Sequence, residues 1–509
     1  MPTNESTGAQ SSRVINRLRH IPSWSDTEWL VWGFGALVLL SIFGAVGFQF
    51  WPLVGLPALA LILYISVVDF KNIFWLLIAC LPLSTEIVLP NGFGTDLPTE
   101  PLMIGLTGIT ILFALRHTEY VQGDFLRHPV TLLLLGHLGW ILVSTVTSDL
   151  PFVSVKFFLA KTWYIIPFYF LAGYLLDRQV HVRRLFWAFF LPLLLTVGII
   201  MVRHGLQGFT FNSIHYVLSP FQRNHVNYAA MLAYFLPVLF FARSYYRPRS
   251  TTWWLLTGST VFLLIAVYLT YTRAAYVALF GAAVMYVVFR LRMVRLILLT
   301  AVVAVALGLA YFIRNNTYLE YAPNYDRTVT HYEFDNLLEA TYKMEDISTM
   351  ERVYRWVAGF NMTDQNPVFG FGPGNFVNFY ERYTVTSFRT YVSDNPERSG
   401  IHSYYLMTLV EQGIVGVLLY LAFVFVVLLA GERIYHQTRD PVEKNLVMGF
   451  LLAIVVIDAF QIINDLLETD KVGPFFFVAV AVLVRQDIRN QRLGRRPQVE
   501  RSSSDQSSG

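Results

Sequence analysis

The sequence predicts an all-α, polytopic membrane protein: a bundle of about 12–14 transmembrane helices with one large external loop that contains short helices. Three observations predict this fold class. Hydrophobic residues make up 55% of the 509 residues and charged residues only 14%, which is less charge than a soluble protein of this length carries. Long apolar segments recur along the chain, and only helices or closed barrels satisfy their backbone groups in lipid. A single polar interval, about 315–400, interrupts these segments.

Fourteen segments are predicted as spanning helices, although the shortest fall below the roughly 18 residues that a membrane requires. The first starts too late in the chain and runs too long for a cleavable signal peptide. In chain order the segments cover 29–48, 51–68, 72–90, 101–115, 129–147, 158–176, 185–202, 226–242, 252–269, 274–289, 294–312, 402–430, 446–464 and 472–484.

Basic residues are distributed unequally between alternate loops. With the N-terminus inside, the cytoplasmic loops and tails carry 24 of the 38 Lys and Arg residues. The short external loops carry six, and the other eight lie in the long loop, whose length exempts it from the positive-inside rule. This asymmetry predicts that both termini are cytoplasmic and the long loop is external. The net charge of +4 comes from the basic residues of the cytoplasmic loops and tails, so we predict no nucleic-acid partner.

These patterns divide the chain into five regions. The two tails are polar and Ser-rich, which predicts disorder, and the single cysteine, Cys80, lies in an apolar segment, so no disulfide is expected in the loop. The regions are a cytoplasmic tail over 1–28, N-terminal transmembrane helices over 29–312, the large external loop over 313–400, C-terminal transmembrane helices over 401–485 and a second cytoplasmic tail over 486–509.

Within the loop, apolar residues at intervals of three and four predict amphipathic helices over about 332–346 and 349–363. The glycine-punctuated stretch 366–376 follows. No strand precedes it and no Gly-Lys-Ser/Thr follows it, which favours a tight structural turn over a phosphate cradle. The spacing His331-x-Glu333-x-Asp335 falls in the first predicted loop helix, where alternate residues diverge, so we predict no metal site there.

Five residues at or near membrane depth on the external side are candidate site residues, because ionisable groups there are costly: Arg223, Arg273, Arg352, Arg355 and His402. Guanidinium groups bind phosphate oxygens through paired donors and keep their charge at any working pH. A histidine among them suits proton transfer, since neighbouring positive charge lowers its pKa and keeps the imidazole neutral. This combination predicts a site for a diphosphate ester at the membrane surface.

Each of these residues also has a purely structural interpretation. A lone external arginine is commonly a headgroup anchor, Arg355 fits the surface of a loop helix, and His402 fits a helix cap. Lys156 and Lys161 suit either an anionic substrate or snorkelling to the interface. Glu411, beside Gly413, suits a structural acceptor in a broken helix as well as an acid–base group. Glu86, Asp458 and Asp465 are equally ambiguous.

Taken together, the motifs over about 220–430 resemble the O-antigen ligase and O-antigen polymerase superfamily. The resemblance rests on their order around one external loop; the N-terminal helices match only in character, and the chain has more predicted spans than is usual in that superfamily. The motifs are Arg223-Asn224-His225-Val226-Asn227, Thr272-Arg273, Arg352 with Trp356, Asn366-Pro367 with Gly370 and Gly372, and His402 with Glu411-Gln412-Gly413-Ile414-Val415-Gly416.

The resemblance implies a multi-pass glycosyltransferase of the bacterial inner membrane, acting in O-antigen, lipopolysaccharide or related polysaccharide biosynthesis. Its donor would be a polyprenyl-diphosphate-linked glycan, its acceptor a glycan or lipid, and its loop would be periplasmic. By this resemblance Arg223 and Arg352 would bind the diphosphate, Arg273 would support them, and His402 would activate the acceptor hydroxyl. A metal-independent displacement without cofactor is implied, and the chain contains no Asp-x-Asp.

Three functions remain open from the residues alone. A ligase joins a finished glycan to an acceptor, and a polymerase extends the glycan on its carrier with the same residues. A transporter or flippase for lipid-linked glycan is the third; internal repeats typical of transporters are not evident in the sequence, and the polar residues gather at one face.

Overall fold

The structure, a computed structural model, describes residues 24–49, 51–57, 60–61, 64, 69–88, 94–118, 122–314, 347–389, 393–395 and 398–506. The predicted loop helix over 332–346 and the residues His331, Glu333 and Asp335 lie outside these ranges. The chain divides into two compact units, 1–73 and 74–509. In the first unit, helix α1 (Trp24–Gly47) packs against a 3-10 helix, Trp51–Gly55.

Within these described ranges, ten helical segments are long and apolar enough to span a membrane, which confirms the polytopic all-α fold class. They match ten of the predicted spans. Their bounds are Thr99–Arg116 (α3), Pro129–Val146 (α5), Pro151–Leu175 (α6, Pro151–Ile165, continued by a π-helical turn and α7, Ala172–Leu175), Gln179–Leu206 (α8), His225–Tyr245 (α10, His225–Ala242, and a 3-10 turn), Thr251–Tyr268 (α11), Arg273–Leu291 (α12), Val294–Tyr311 (within α13, Val294–Ile313), Tyr404–Gln437 (α16) and Pro441–Ile463 (α17).

The remaining elements are shorter or only partly apolar. They are α2 (Lys71–Cys80), strands β1 (Thr85–Val88) and β2 (Gly94–Leu97), α4 (Gly123–Leu126), α9 (Phe211–Val217), α14 (Ile347–Thr363), α15 (Phe376–Phe379), α18 (Gly473–Gln506) and the 3-10 helices Leu81–Leu83, Arg243–Tyr245, Tyr380–Tyr383, Thr386–Phe388 and Leu466–Glu468.

The predicted span over 72–90 does not form. Its first part is the 10-residue helix α2, and a 3-10 turn then leads into strand β1. Pro82 and Glu86 interrupt the apolar run, because proline cannot continue a helix and a carboxylate is costly in lipid. Strand β1 pairs with β2 in an antiparallel hairpin, with Glu86 opposite Asp96, and this small sheet was not predicted.

The core of the second unit lies where α10 and α17 cross. Their apolar windows are 72% and 78% buried, whereas that of α13 is 6% buried, so α13 lies at the periphery. Aromatic rings fill the centre: the rings of Tyr234 and Phe475 stack with centroids 4.4 Å apart, and Phe189 packs against Phe475 at 5.3 Å. The hydroxyl of Tyr234 also donates to the carbonyl of Lys471 at 2.7 Å, which joins α10 to the segment between α17 and α18.

Helix α16 is broken at Gly413, whose backbone is left-handed (φ 68°, ψ −174°). Residues 366–376 dock into the break: the amide of Ile414 donates to the carbonyl of Pro367 at 2.8 Å, and that of Gly372 donates to the carbonyl of Glu411 at 2.9 Å. The chain's own loop thus satisfies backbone groups that the break exposes, as burial in a membrane protein requires. The predicted tight structural turn is confirmed.

The Glu411 carboxylate completes this docking. Its two oxygens accept hydrogen bonds from the amides of Gly374 at 2.8 Å and Phe376 at 3.1 Å. The amides that resembled a phosphate cradle are therefore turned toward a buried carboxylate of the protein. Of the two interpretations of Glu411, the structural acceptor is the one that these contacts support.

Candidate functional site

Helix α14 carries two of the candidate residues and is anchored by one apolar face. Met350, Tyr354, Ala358 and Met362, spaced four apart, are all buried. Gly359 lies against Ile401 and α16, with no room for a side chain. The predicted helix over 349–363 is confirmed, and its packing brings Arg352 and Arg355 to the chain segment that enters α16.

Arg355 is buried, with 6% of its surface exposed, and it holds the segment before His402. Its Nη1 donates to the carbonyl of Gly400 at 3.2 Å and its Nη2 to Oδ1 of Asn395 at 3.4 Å. Glu351, one turn earlier in α14, lies 3.5 Å from the same Nη2. The guanidinium of Arg355 is therefore bound to other groups of the protein and stabilises the turn before His402.

His402 sits in a strained turn that α14 holds from one side. Its φ of 55° is left-handed, which is unusual for a residue with a side chain. The indole nitrogen of Trp356 donates to the carbonyl of Ile401 at 3.0 Å, next to the carbonyl that Arg355 binds. Ser403 then caps α16, its side chain accepting from the amide of Leu406. The imidazole position is therefore set by contacts on both sides.

Arg352 lies close enough to His402 for its charge to act on the imidazole. Burial, followed by the charges of Arg352 and Arg355, lowers the pKa of His402 from 6.5 to about 3. The imidazole is consequently neutral at physiological pH, the form that accepts a proton. Arg352 itself is half-buried and donates to the hydroxyl of Ser348 at 3.1 Å.

The charge of Arg352 also acts on His225, the first residue of α10, which joins the loop helix to the membrane bundle. The rings of His215 and His225 meet edge-to-face with centroids 4.6 Å apart. The site reasoning from sequence did not select these histidines. His225 had one available signal, its position within the Arg-Asn-His motif, whereas His215 had none.

Arg273 is placed beside this group by helix ends. It is the first residue of α12, and the hydroxyl of the preceding Thr272 donates to the carbonyl of His225 at 3.4 Å. Asn224 caps α10, its Oδ1 accepting from the amide of Asn227 at 2.8 Å. Two helix N-termini, which carry partial positive charge, thus meet on the side of the bundle that holds His402.

Arg223 faces another direction. Its Nη2 bonds Oε1 of Glu86 in strand β1 at 2.6 Å, and 69% of its side chain is exposed. It lines a polar cavity together with Asp470 and Lys471. The structure therefore brings Arg352, Arg355, His402 and His225 into one electrostatic group and attaches Arg223 to a neighbouring one.

Asp465 adds a carboxyl to the group formed by Arg352, Arg355, His402 and His225. Its Oδ2 lies against Gly400, and burial raises its pKa, while the charges of Arg355 and Arg352 oppose that shift. The group thus combines arginine charge with a neutral imidazole and one acid. Such a set can bind an oxyanion, accept a proton from a hydroxyl and stabilise a leaving phosphate. Among the described residues, no three His, Cys, Asp or Glu are grouped to hold a metal ion.

Residues 258–421 match the model of the O-antigen ligase family, Wzy_C. The resemblance seen in the motifs is thereby confirmed. The matched range of the O-antigen ligase family contains Arg273, Arg352, Arg355 and His402, whereas Arg223 precedes it. No curated protein matches this chain. Similarity to Wzy_C implies glycan transfer of the O-antigen ligase or polymerase type by a multi-pass membrane protein.

Proposed function

We propose that this protein is an O-antigen ligase-like glycosyltransferase of the bacterial inner membrane, which transfers a polyprenyl-diphosphate-linked glycan to an acceptor hydroxyl on the periplasmic side. The observation that carries this proposal is that helix α14, which bears Arg352, binds the two carbonyls directly before His402, within the region that matches Wzy_C. Phosphate-binding charge and a proton acceptor thus lie together near the membrane surface, where a lipid-linked diphosphate presents its sugar.

In the proposed reaction, the acceptor oxygen attacks the anomeric carbon of the donor while the bond to the diphosphate breaks. His402 takes the hydroxyl proton, and the bond electrons leave with the polyprenyl diphosphate. Arg352 binds the departing oxyanion and Arg273 supports it from the start of α12, whereas Arg223, paired with Glu86, is assigned no contact with the diphosphate. Removing one such preorganised group commonly costs on the order of 3 kcal/mol in the barrier.

Arg355 belongs to the same proposal as a positioning residue. Its donors engage Gly400, Asn395 and Glu351, so it acts on substrate through the turn that carries His402. Its charge also contributes to keeping the imidazole neutral. Arg355 therefore orients His402, which acts as the base, and Arg352 binds the diphosphate directly.

A polymerase of the same family is the alternative, because the same residues would serve and only the acceptor would differ. A flippase is the second alternative. Broken helices in transporters commonly line a substrate path, but here residues 366–376 occupy the break in α16. That contact supports transfer over transport.

The test is complementation of a strain from which the gene has been deleted. Carrier-linked long chains that accumulate unattached indicate a ligase, and loss of long chains on the carrier indicates a polymerase. His402→Ala and Arg352→Ala should not restore transfer, whereas Arg382→Ala, at an exposed loop arginine, should. Full activity of both site variants, once correct insertion is verified, would refute the catalytic assignment.

A further inference from the structure

The polar cavity that Arg223, Asp470 and Lys471 line belongs to the group next to the proposed site. It measures about 340 Å³ and is enclosed by the β-hairpin, the residues before α10 and the segment between α17 and α18. Polar side chains dominate its wall, in contrast to the apolar lining typical of pockets for hydrophobic ligands. Among the polar side chains of the wall are Glu86, Asp96, Gln222, Asn227, Asp470 and Lys471.

Two of these side chains are buried amides with unmet hydrogen-bonding capacity. Gln222 is 5% exposed and Asn227 is 9% exposed. In the part of the chain that the structure describes, neither Oε1 of Gln222 nor Oδ1 of Asn227 has a hydrogen-bond partner. A buried polar atom without a partner costs stability, so one that persists calls for a ligand that completes it.

Carboxyl groups outnumber cations in the wall of this cavity, which disfavours a phosphate there. Glu86, Asp96, Glu468 and Asp470 place four carboxyl groups against the cations of Arg223 and Lys471. Lys471 is engaged by the protein, its Nζ donating to the carbonyls of Ser84 and Phe221. Burial and the nearby Asp470 raise the pKa of Asp96 to about 7, so this carboxyl can hold a proton near neutral pH and then donate as well as accept.

Amides, carboxyls and a guanidinium around one cavity match the alternating donors and acceptors of vicinal sugar hydroxyls. We propose that this cavity binds an uncharged sugar ring, the one next to the diphosphate of the lipid-linked donor. The inference rests on the proposed function and deepens it, because the cavity then determines which donor sugar the protein binds. Gln222 and Asn227 are the specificity-determining residues.

The position of the cavity fits this occupant. Asn227 lies in the first turn of α10, and the first residue of that turn, His225, feels the charge of Arg352, so the cavity and Arg352 lie near the same end of the helix. On the other side, Glu468 lines the cavity and acts electrostatically on Asp465, which lies beside Gly400. Arg223 stands at the boundary with an exposed guanidinium. A diphosphate near Arg352 would thus have its attached sugar within reach of the cavity.

The experiment compares binding of two kinds of probe to the full-length protein in lipid nanodiscs without acceptor. The probes are bare undecaprenyl diphosphate and undecaprenyl diphosphates that each carry one glucose, galactose or N-acetylglucosamine. Wild type should bind at least one sugar-bearing probe more tightly than the bare lipid. Gln222→Met and Asn227→Leu should each weaken that binding by about three- to tenfold and leave bare-lipid binding unchanged. Asn378→Leu, at an exposed loop amide, is the matched control.

Thermal unfolding of the ligand-free variants separates binding from folding. Because the amide oxygens lack partners, Gln222→Met and Asn227→Leu should leave the melting temperature unchanged or raise it. A lowered melting temperature would mean that the amides serve the fold, and would overturn the proposal. Equal binding of bare and sugar-bearing lipids by wild type would also overturn it.

These results are independent of the test of the proposed function. Sugar-dependent binding that depends on both amides, in a protein that transfers nothing, would support the cavity and refute glycan transfer. Normal transfer by wild type with no preference among the probes would support glycan transfer and refute the cavity.

Discussion

The guanidinium of Arg355 donates to the carbonyl of Gly400 at 3.2 Å, two residues before His402. Trp356 binds the next carbonyl, that of Ile401, at 3.0 Å. Two consecutive side chains of α14 therefore donate hydrogen bonds to two consecutive carbonyls of the turn that carries His402. Because His402 has a left-handed backbone, these contacts offset the strain that would otherwise let the turn relax.

Arg355→Gln should lower kcat for glycan transfer and leave the donor KM nearly unchanged, because Arg355 orients His402 and does not contact the donor. Arg352→Gln should raise the donor KM. Steady-state kinetics of the purified variants check this difference. A donor KM that rises equally in both variants would place Arg355 on the diphosphate.

The buried pair of Glu351 and Arg355 should dominate the stability of the loop helix. Both residues are over 90% buried, so Arg355→Ala leaves a carboxylate without its cation and should cost about 3–5 kcal/mol. The double variant Glu351→Gln, Arg355→Gln should recover part of that loss in thermal unfolding. No recovery would contradict a coupled pair.

The pKa of His402 predicts an unusual pH dependence. Burial and the two arginines hold this pKa near 3, so activity should show no acid limb near pH 6.5. In Arg352→Gln one of these causes is removed, and the limb should move upward toward 6.5. A profile of kcat/KM from pH 4 to 8 measures both, and a wild-type inflection near 6.5 would contradict the prediction.

The lowered pKa of His402 also makes the stability of the folded protein depend on pH. The folded pKa of His402 lies below its unfolded value, so the unfolded chain binds the extra proton between pH 6.5 and about 3. Stability should therefore fall as pH drops through this window. His402→Asn should lessen the fall in melting temperature between pH 7 and 5; an unchanged slope would mean that His402 titrates alike in both states.

Gly413→Ala should prevent residues 366–376 from docking. Gly413 has a φ of 68°, and a Cβ there would collide with the carbonyl of Val368. We expect destabilisation of several kcal/mol and loss of transfer activity. Gly139→Ala, in α5 with open space around the glycine, is the matched control and should be neutral in thermal unfolding. A tolerated Gly413→Ala would mean that the loop docks by other contacts.

Glu411→Gln should act through structure. The amide retains one acceptor, but its NH₂ group would face an amide donor of Gly374 or Phe376, so we expect a loss of about 1–3 kcal/mol. Cleavage of the 366–376 loop by protease should accelerate, while the pH profile of residual activity stays that of wild type. Glu381→Gln, at an exposed loop carboxylate, is the control. An altered pH profile would instead indicate an acid–base role.

Cysteine labelling tests the orientation predicted from basic residues. In a Cys80→Ser background, a cysteine at exposed Asn378 should react with a membrane-impermeant maleimide in cells with a permeable outer membrane. A cysteine at exposed Arg249 should react only after the inner membrane is opened. The reverse pattern would invert the topology.

Local patterns in the sequence predicted much of the fold. Apolar length identified the spanning helices because lipid offers backbone groups no other partners, and the spacing of Val353, Trp356 and Phe360 identified α14. The glycine-punctuated turn at 366–376 and the broken helix at Gly413 were each indicated by the sequence, but the docking of one into the other was not. The span over 72–90 was misjudged because a hairpin partner, β2, supplied bonds that an isolated apolar segment lacks.

The sequence by itself determined which residue types were available for the site: four arginines and His402 on one predicted face. Only the tertiary structure decided how they are used, turning Arg355 inward to Gly400, pairing Arg223 with Glu86 and bringing His225 to Arg352. Such contacts join residues far apart in the chain, and they depend on how α10, α14 and α16 pack. Local sequence specifies a helix through its period, whereas the neighbour of a side chain is set by the competing packing of all the helices around it.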